Sequence, residues 1–275
     1  MNQANPLKQY FRRPGLYLKL PSGGAGYPLG SIDMPDNGEL PVYPMTAIDE
    51  ITTKTPDALF NGVAVVEIIK SCVPNIIDPW QVSNIDLDAI LIAIKAASNG
   101  NEMDLETVCP SCSESGKYGL QLISLLSTIK SGDYNTKIDV DDLQIKLKPL
   151  KFFEVNEGNT VQFELQRTMI KIQGIEDETE KMKASSEALS SIHAISMQMV
   201  ANCIEYIKIP EATVLDKNFI MEYLKNCDKK IFEKIRDATI ELRETSEIKP
   251  LKLTCSSCSY EYSQPFTLNV SDFFD

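Results

Sequence analysis

The sequence is poor in the residue types that most enzymes use for catalysis. It has one histidine, His193, and no cysteine or carboxylate pair stands near it in the chain. A general base needs such a partner to orient it. The glycine-rich run at residues 22–26 lacks the Gly-Lys-Ser/Thr of a phosphate-binding loop, and no nucleophile-elbow or zinc-protease motif occurs. The sequence therefore gives no support for an enzyme or for a small-molecule substrate.

Long apolar runs and an excess of basic residues are missing as well. The longest apolar runs, such as residues 89–94, are far shorter than the roughly 20 residues of a membrane-spanning helix. The N-terminus lacks the basic and apolar regions of a secretory signal. The formal net charge is −12, whereas nucleic-acid binding depends on lysine and arginine side chains that neutralise phosphates. We therefore expect no membrane span and no nucleic-acid partner. The seven cysteines, an odd number, indicate synthesis in a reducing cytoplasm.

What the sequence does contain is two short cysteine pairs, Cys109-Pro-Ser-Cys112 and Cys255-Ser-Ser-Cys258. Four thiolates in two such turns match the ligands of a closed tetrahedral Zn²⁺ site. Each pair lies between segments with strand-like alternation, as in the hairpins of a zinc ribbon. We predict a structural Zn²⁺ bound by Cys109, Cys112, Cys255 and Cys258, with no coordination position left open for catalysis.

Two other interpretations of the cysteine pairs remain open. They could be free thiols, or each pair could form a disulfide. A disulfide within a Cys-x-x-Cys turn is more typical of a redox motif at the start of a helix, and neither pair here begins a helical pattern.

The fold class predicted is α+β: a mainly helical body, a small antiparallel zinc-ribbon-like β element built from the two Cys-x-x-Cys turns, and an extended N-terminal arm. Prolines and glycines recur through the first 45 residues and exclude a long helix there. The segments expected are an arm at 1–45, a helical block at 46–100, the β element at 101–150 and 245–275, and a helical insert at 151–244.

Local patterns predict individual elements within these segments. Thr46 is expected to cap a short helix, and alternation over residues 138–150 predicts a strand or hairpin that extends the ribbon sheet. Apolar residues at helical spacing predict helices at about 57–71, 84–98, 153–172, 184–207, 215–227 and 229–243.

The N-terminal arm has a basic and aromatic start, because no acidic residue precedes Asp33. Proline lowers the entropy lost when an extended segment docks. We hypothesise that residues 7–45 grip an acidic or apolar surface on another protein or on a second copy of the chain. In the alternative interpretation, the arm wraps its own helical block. The residues expected to contact a partner are Tyr10, Phe11, Arg12, Arg13 and Tyr17.

Several stretches of the chain closely resemble the T4-type bacteriophage baseplate protein family. They are residues 10–24, 34–47, 55–62, 71–74, 85–94 and 109–112, including Tyr10-Phe-Arg-Arg-Pro14 and Ser71-Cys-Val-Pro74. The resemblance implies a component of the baseplate hub of a contractile tail, or a factor that assembles the hub, acting through contacts with other tail proteins or with itself. It implies synthesis in the host cytoplasm and a place in the virion tail or in a transient assembly intermediate. The competing function is a zinc-ribbon nucleic-acid-binding regulator, which the mixed charges around the cysteine pairs do not favour.

Overall fold

The structure is a computed structural model that describes residues 6–54, 62–140 and 142–266. Helices and small antiparallel sheets are mixed along the chain, so the α+β class predicted from the sequence is confirmed. Within the described part of the chain, no helix has the length and apolar character needed to cross a membrane.

The helices in chain order are α1 (Ala47–Thr53), α2 (Val63–Cys72), α3 (Asn84–Asn99), α4 (Leu122–Leu126), α5 (Phe152–Gln173), α6 (Glu178–Cys203), α7 (Lys217–Asn226) and α8 (Lys229–Ser246). Short 3-10 turns cover Pro6–Tyr10 and Pro79–Gln81. The start predicted for the second helix, near residue 57, lies outside the described residues.

The strands are β1 (Leu16–Leu18), β2 (Leu40–Val42), β3 (Glu102–Val108), β4 (Ser115–Gln121), β5 (Lys137–Val140), β6 (Leu143–Leu147), β7 (Ile204–Lys208), β8 (Thr213–Val214), β9 (Leu251–Thr254) and β10 (Glu261–Gln264). Among the residues that the structure describes, they form three two-stranded antiparallel sheets, β1-β2, β3-β4 and β9-β10, and one four-stranded sheet in the order β5-β6-β7-β8.

The chain divides into two compact units, which are described separately. The first comprises Met1–Pro79, Asp86–Lys130 and Glu247–Asp275, and the second comprises Trp80–Ile85 and Ser131–Ser246. The second unit is therefore largely an insertion between the two parts of the chain that carry the cysteine pairs.

The core of the first unit is built on α2 and on the part of α3 that belongs to it. Apolar residues of both helices are fully buried, together with Leu40 and Val42 of β2. Thr46 caps α1 as predicted, in a capping box in which its side chain and that of Asp49 each accept a bond from the backbone N–H of the other residue. The helix predicted at 84–98 is α3, and Gly100 follows its end with a φ of 92°.

The core of the second unit lies between the four-stranded sheet and the helices α6, α7 and α8. Its fully buried members include Ile145, Ile204, Ile220 and Ile235. The only tryptophan, Trp80, stacks on Phe152 with ring centroids 5.3 Å apart. The helices predicted near 215–227 and 229–243 are confirmed as α7 and α8.

Two predictions for this region were wrong in part. The hairpin expected at 138–150 exists as β5 and β6, but β6 pairs with β7 and so extends the four-stranded sheet rather than the cysteine hairpins. The helix expected to reach Ile207 ends at Cys203, where the chain turns into β7. Ile204 and Ile207 are both buried in this strand although they are three residues apart, a spacing typical of a helix. The register with β6 shifts between Lys146 and Leu147, and such an irregularity lets both side chains face the core.

Candidate metal centre

Each cysteine pair occupies the turn of a β-hairpin in the first unit. Strands β3 and β4 run antiparallel up to the pair Val108 and Ser115, and the first two cysteines lie between them. Strands β9 and β10 run antiparallel up to the pair Thr254 and Glu261, with the other two cysteines between them. Both turns therefore hold six residues, and the cysteines occupy the same positions in each.

The backbone of the two turns is the same in detail. The N–H of Cys109 donates to the carbonyl of Glu114 at 2.9 Å, and the N–H of Ser113 donates back to the carbonyl of Cys109 at 2.9 Å. In the second turn the matching bonds, Cys255 to Tyr260 and Ser259 to Cys255, are also 2.9 Å long. The two turns therefore present their cysteine side chains in the same local geometry.

The four thiol sulfur atoms converge as the sequence predicts for a metal site. All four Sγ atoms lie within 4.8 Å of one another, and the distances Cys109 to Cys258 and Cys112 to Cys255 are both 3.7 Å. A tetrahedral ion with Zn–S bonds of about 2.3 Å requires S–S separations of about 3.8 Å. A disulfide has an S–S bond of about 2.05 Å, and all seven cysteines are free. The four residues thus fit a tetrahedral metal ion, and the disulfide interpretation is wrong for this structure.

The electrostatics of the cluster favour a bound cation. Backbone N–H groups of Cys258 and Ser257 lower the pKa of the Cys255 thiol to about 6. For Cys112 the backbone bond with Glu114 also lowers the pKa, but the hydrogen bond with the Cys258 thiol, burial, and hydrogen bonds with the thiols of Cys255 and Cys109 together raise the pKa to about 12. The thiol of Cys255 therefore loses its proton readily, whereas neighbouring thiols oppose the deprotonation of Cys112. A bound divalent cation would relieve the repulsion between thiolates.

Contacts between the hairpins supplement the cysteines. Thr107 Oγ1 of β3 donates to Gln264 Oε1 of β10 at 3.0 Å. Tyr118 and Tyr262 meet edge to face, with ring centroids 6.4 Å apart and their hydroxyl oxygens 3.3 Å apart. A side chain at Gly116 would come within 3.0 Å of the Tyr118 ring. Sequence reasoning did not find the tyrosine pair, because nothing local shows which residues of the two hairpins face each other.

Of the five residues predicted to contact a partner, Arg12 is hydrogen-bonded within its own chain and the other four are exposed. The guanidinium of Arg12 donates to the carbonyl oxygens of Pro44 and Ser71, both at 2.6 Å, and lies 3.5 Å from the buried carboxylate of Asp49. The exposed residues are Tyr10, Phe11, Arg13 and Tyr17.

The same arginine site explains how the N-terminal segment is attached. Asp49 Oδ2 also accepts bonds from the backbone and hydroxyl of Thr46 and from Ser71 Oγ. Burial raises the pKa of the neighbouring Cys72 thiol to about 11, so this thiol stays protonated and packs as a small apolar group.

Comparison with known proteins assigns the chain to a family. A family model described as T4 bacteriophage base plate protein matches residues 31–275. No curated protein and no solved structure matches the chain.

Proposed function

The chain belongs to the T4 bacteriophage base plate protein family, and from this premise we propose that it is a component or assembly factor of the baseplate hub, acts through protein–protein contacts, and is held in shape by a structural Zn²⁺. The family match covers most of the chain and supports a structural role in a phage baseplate with other tail proteins as partners. The assignment to the hub and the identity of the ion are the proposed parts.

The observation that carries the zinc proposal is the convergence of four thiols from two separate parts of the chain. Cys109, Cys112, Cys255 and Cys258 would each supply one thiolate, and a bound Zn²⁺ would cross-link the hairpins without any redox chemistry. Because all four positions are filled by protein, the ion has no open position for substrate or water. The proposed site is thus structural, which agrees with a protein that works by binding.

We test the zinc proposal by native mass spectrometry with and without a chelator. We expect one zinc per chain, and we expect Cys112→Ser and Cys258→Ser to lose the ion and to lower the melting temperature, since binding and folding are coupled at such a site. The control is Cys227→Ser, because Cys227 lies outside the cluster and should leave the zinc content unchanged. A metal-free wild-type chain with unchanged stability in chelator would overturn the proposal.

For partner contacts we propose the exposed residues next to Arg12. In this arrangement Arg12 anchors the segment to its own chain, while Tyr10, Phe11, Arg13 and Tyr17 remain open to a neighbouring tail protein. Aromatic and arginine side chains are the residue types that contribute most at protein interfaces.

The hub proposal is tested by locating the chain during phage assembly. Quantitative mass spectrometry of purified virions and of baseplate intermediates should find the chain with hub proteins in at least one of them. A double variant, Tyr10→Ala with Phe11→Ala, should reduce this association while retaining zinc. Normal recovery of the double variant would remove these residues from the interface, and absence of the wild-type chain from every baseplate fraction would contradict the hub role.

A further inference from the structure

The cysteines of the candidate metal centre differ in their exposure to solvent. Cys109 and Cys255, the first cysteine of each turn, are buried, with exposed fractions of 1% and 4%. Cys112 and Cys258, the second cysteine of each turn, are exposed. A small oxidant in solution therefore reaches the second cysteine of each turn first.

Short distances between sulfur atoms join the two turns. Cys109 Sγ lies 3.7 Å from Cys258 Sγ, and Cys112 Sγ lies 3.7 Å from Cys255 Sγ. Each of these pairs combines one buried with one exposed cysteine. A disulfide bond is about 2.05 Å long, so the two sulfurs of a pair need to approach by about 1.7 Å, which small rotations of both side chains provide.

Contacts away from the sulfur atoms keep the two turns side by side. Thr107 Oγ1 donates to Gln264 Oε1 at 3.0 Å, and the hydroxyl oxygens of Tyr118 and Tyr262 lie 3.3 Å apart. These contacts do not involve a metal ion. The thiols of one turn therefore stay within reach of the thiols of the other while the cluster reacts.

Hydrogen peroxide is an oxidant that the two thiols of such a pair reduce in two steps. The sulfur of the exposed cysteine attacks one peroxide oxygen, the O–O bond breaks, and a sulfenic acid and one water form. The sulfur of the buried cysteine then attacks the oxidised sulfur, the S–O bond breaks, and a disulfide and a second water form. Each pair thus gives two electrons to one peroxide molecule, and the thiol protons leave in the water.

The three cysteines outside the cluster compete poorly for the oxidant. Burial raises the pKa of the Cys72 and Cys203 thiols to about 11, and burial also raises the pKa of the Cys227 thiol. A thiol that keeps its proton reacts slowly with peroxide. Oxidation is therefore directed to the cysteines of the two turns.

We propose that peroxide converts the four cysteines into two disulfides between the hairpins, Cys109 with Cys258 and Cys112 with Cys255, which then hold the hairpins together in place of a metal ion. Thiolates rather than disulfide sulfurs bind metals, so a bound ion leaves as the bonds form, and solvent supplies the protons. The bonds join residues 149 and 143 positions apart, and disulfides that close long loops restrict the unfolded chain most. The pairing depends on where the thiols lie and does not rest on the identity of the ion.

Peptide mapping of the full chain, treated with hydrogen peroxide and digested without reductant, tests the pairing. Trypsin leaves the first cysteine pair in the peptide 96–117 and the second in the peptide 253–275. We expect these two peptides to be linked, with a mass four hydrogens below the sum of the reduced peptides. Fragmentation between the two cysteines of each peptide then assigns the pairs.

A chromogenic zinc chelator in the same reaction reports whether an ion is released. A chain that is purified without metal and still gives the linked peptides would contradict the zinc proposal and support the disulfide proposal. The two proposals can therefore fail separately.

Single variants test which cysteines pair. Cys258→Ser should keep the linked peptides through Cys112 and Cys255, with a deficit of two hydrogens instead of four. Cys112→Ser should give the same deficit through the other pair. The control is Cys227→Ser, which lies outside the cluster and should retain the full deficit of four.

Unlinked peptides that are each two hydrogens lighter would overturn the proposal, because the disulfides would then lie within the turns. Sulfinic acids at Cys112 and Cys258 without a link between the peptides would also overturn it. Thermal unfolding in chelator tests the consequence for stability: oxidised wild type should melt at a higher temperature than reduced wild type. Equal melting temperatures would show that the disulfides do not take over the role of the ion.

Discussion

Arg12 is the residue that ties the N-terminal segment to the first unit. It donates to two carbonyl oxygens and stands beside the carboxylate of Asp49, which is 7% exposed. Arg12→Met should lower the free energy of unfolding by about 2–3 kcal/mol, since it leaves these acceptors without their donor. Arg13→Met is the control, because Arg13 is exposed and should change stability by less than about 0.5 kcal/mol. Equal urea midpoints for the two variants would show that the Arg12 contacts add nothing to stability.

Asp88 of α3 makes stability depend on pH. Burial, with the nearby charge of Glu247, raises the pKa of this carboxyl to about 6. The folded chain therefore holds a proton that the unfolded chain releases near pH 4, so stability falls as pH rises from about 4 to 6. Asp88→Asn removes this loss and should stabilise the protein by about 1–3 kcal/mol at pH 7, with little effect below pH 4.

Chemical unfolding of wild type and Asp88→Asn at a series of pH values measures this difference. The difference in unfolding free energy should grow between about pH 4 and 6 and then stay constant. A difference that is the same at every pH would mean that the substitution acts through packing rather than through the charge.

At the residue scale, the sequence predicted what depends on residue type and short spacing. The four cysteines could be identified because two Cys-x-x-Cys turns specify a ligand set by themselves. The Arg12–Asp49 contact could not be predicted, since it joins residues far apart in the sequence and no local pattern pairs them. The tyrosine pair Tyr118 and Tyr262 was missed for the same reason.

At the scale of elements, the two cysteine turns share one backbone feature with a measurable cost. Ser113 and Ser259, each directly after the second cysteine of its pair, have φ angles of 59° and 57°. This left-handed conformation costs a residue other than glycine about 1 kcal/mol. Ser113→Gly and Ser259→Gly should each raise the unfolding free energy by up to about 1 kcal/mol, with zinc content unchanged.

Thermal unfolding of the metal-bound variants checks this prediction, and Ser113→Val provides the opposite change. Valine is branched at Cβ and should destabilise the turn. If glycine and valine shifted the melting temperature in the same direction, backbone strain at Ser113 would not be the cause.

Elements with a local signal were predicted best. Thr46 was predicted to cap a short helix from its residue type and its place before apolar residues, and the structure confirms this cap and adds Asp49 as the reciprocal partner. The β5-β6 hairpin was predicted from its alternation, but its partner β7 was not, because strand pairing is decided by contacts between distant segments. At Ile204–Lys208 tertiary packing in the four-stranded sheet prevailed over an apolar spacing that also suits a helix.

At the scale of the whole molecule, the two ends of the long inserted segment of the second unit are hydrogen-bonded to each other. The N–H of Gly132 donates to Ser246 Oγ at 3.0 Å, so the first and last parts of the long insertion meet. A side chain at Gly132 would come within 2.9 Å of the Leu242 carbonyl, which is why glycine suits this position. The unit also has its own core around Ile145, Ile204 and Ile220. We therefore expect that its fold does not require the proposed metal centre, whose cysteines belong to the first unit.

Removal of the metal should accordingly act on one part of the chain. In hydrogen exchange with a chelator, we expect faster exchange in β3, β4, β9 and β10 and unchanged exchange in β6, β7 and α7, because the hairpins lose their cross-link while the inserted core keeps its contacts. Added zinc should restore protection in the four strands. Equal exchange with and without chelator would show that the tyrosine and threonine contacts alone hold the hairpins together, and loss of protection throughout the chain would show that the second unit depends on the metal centre after all.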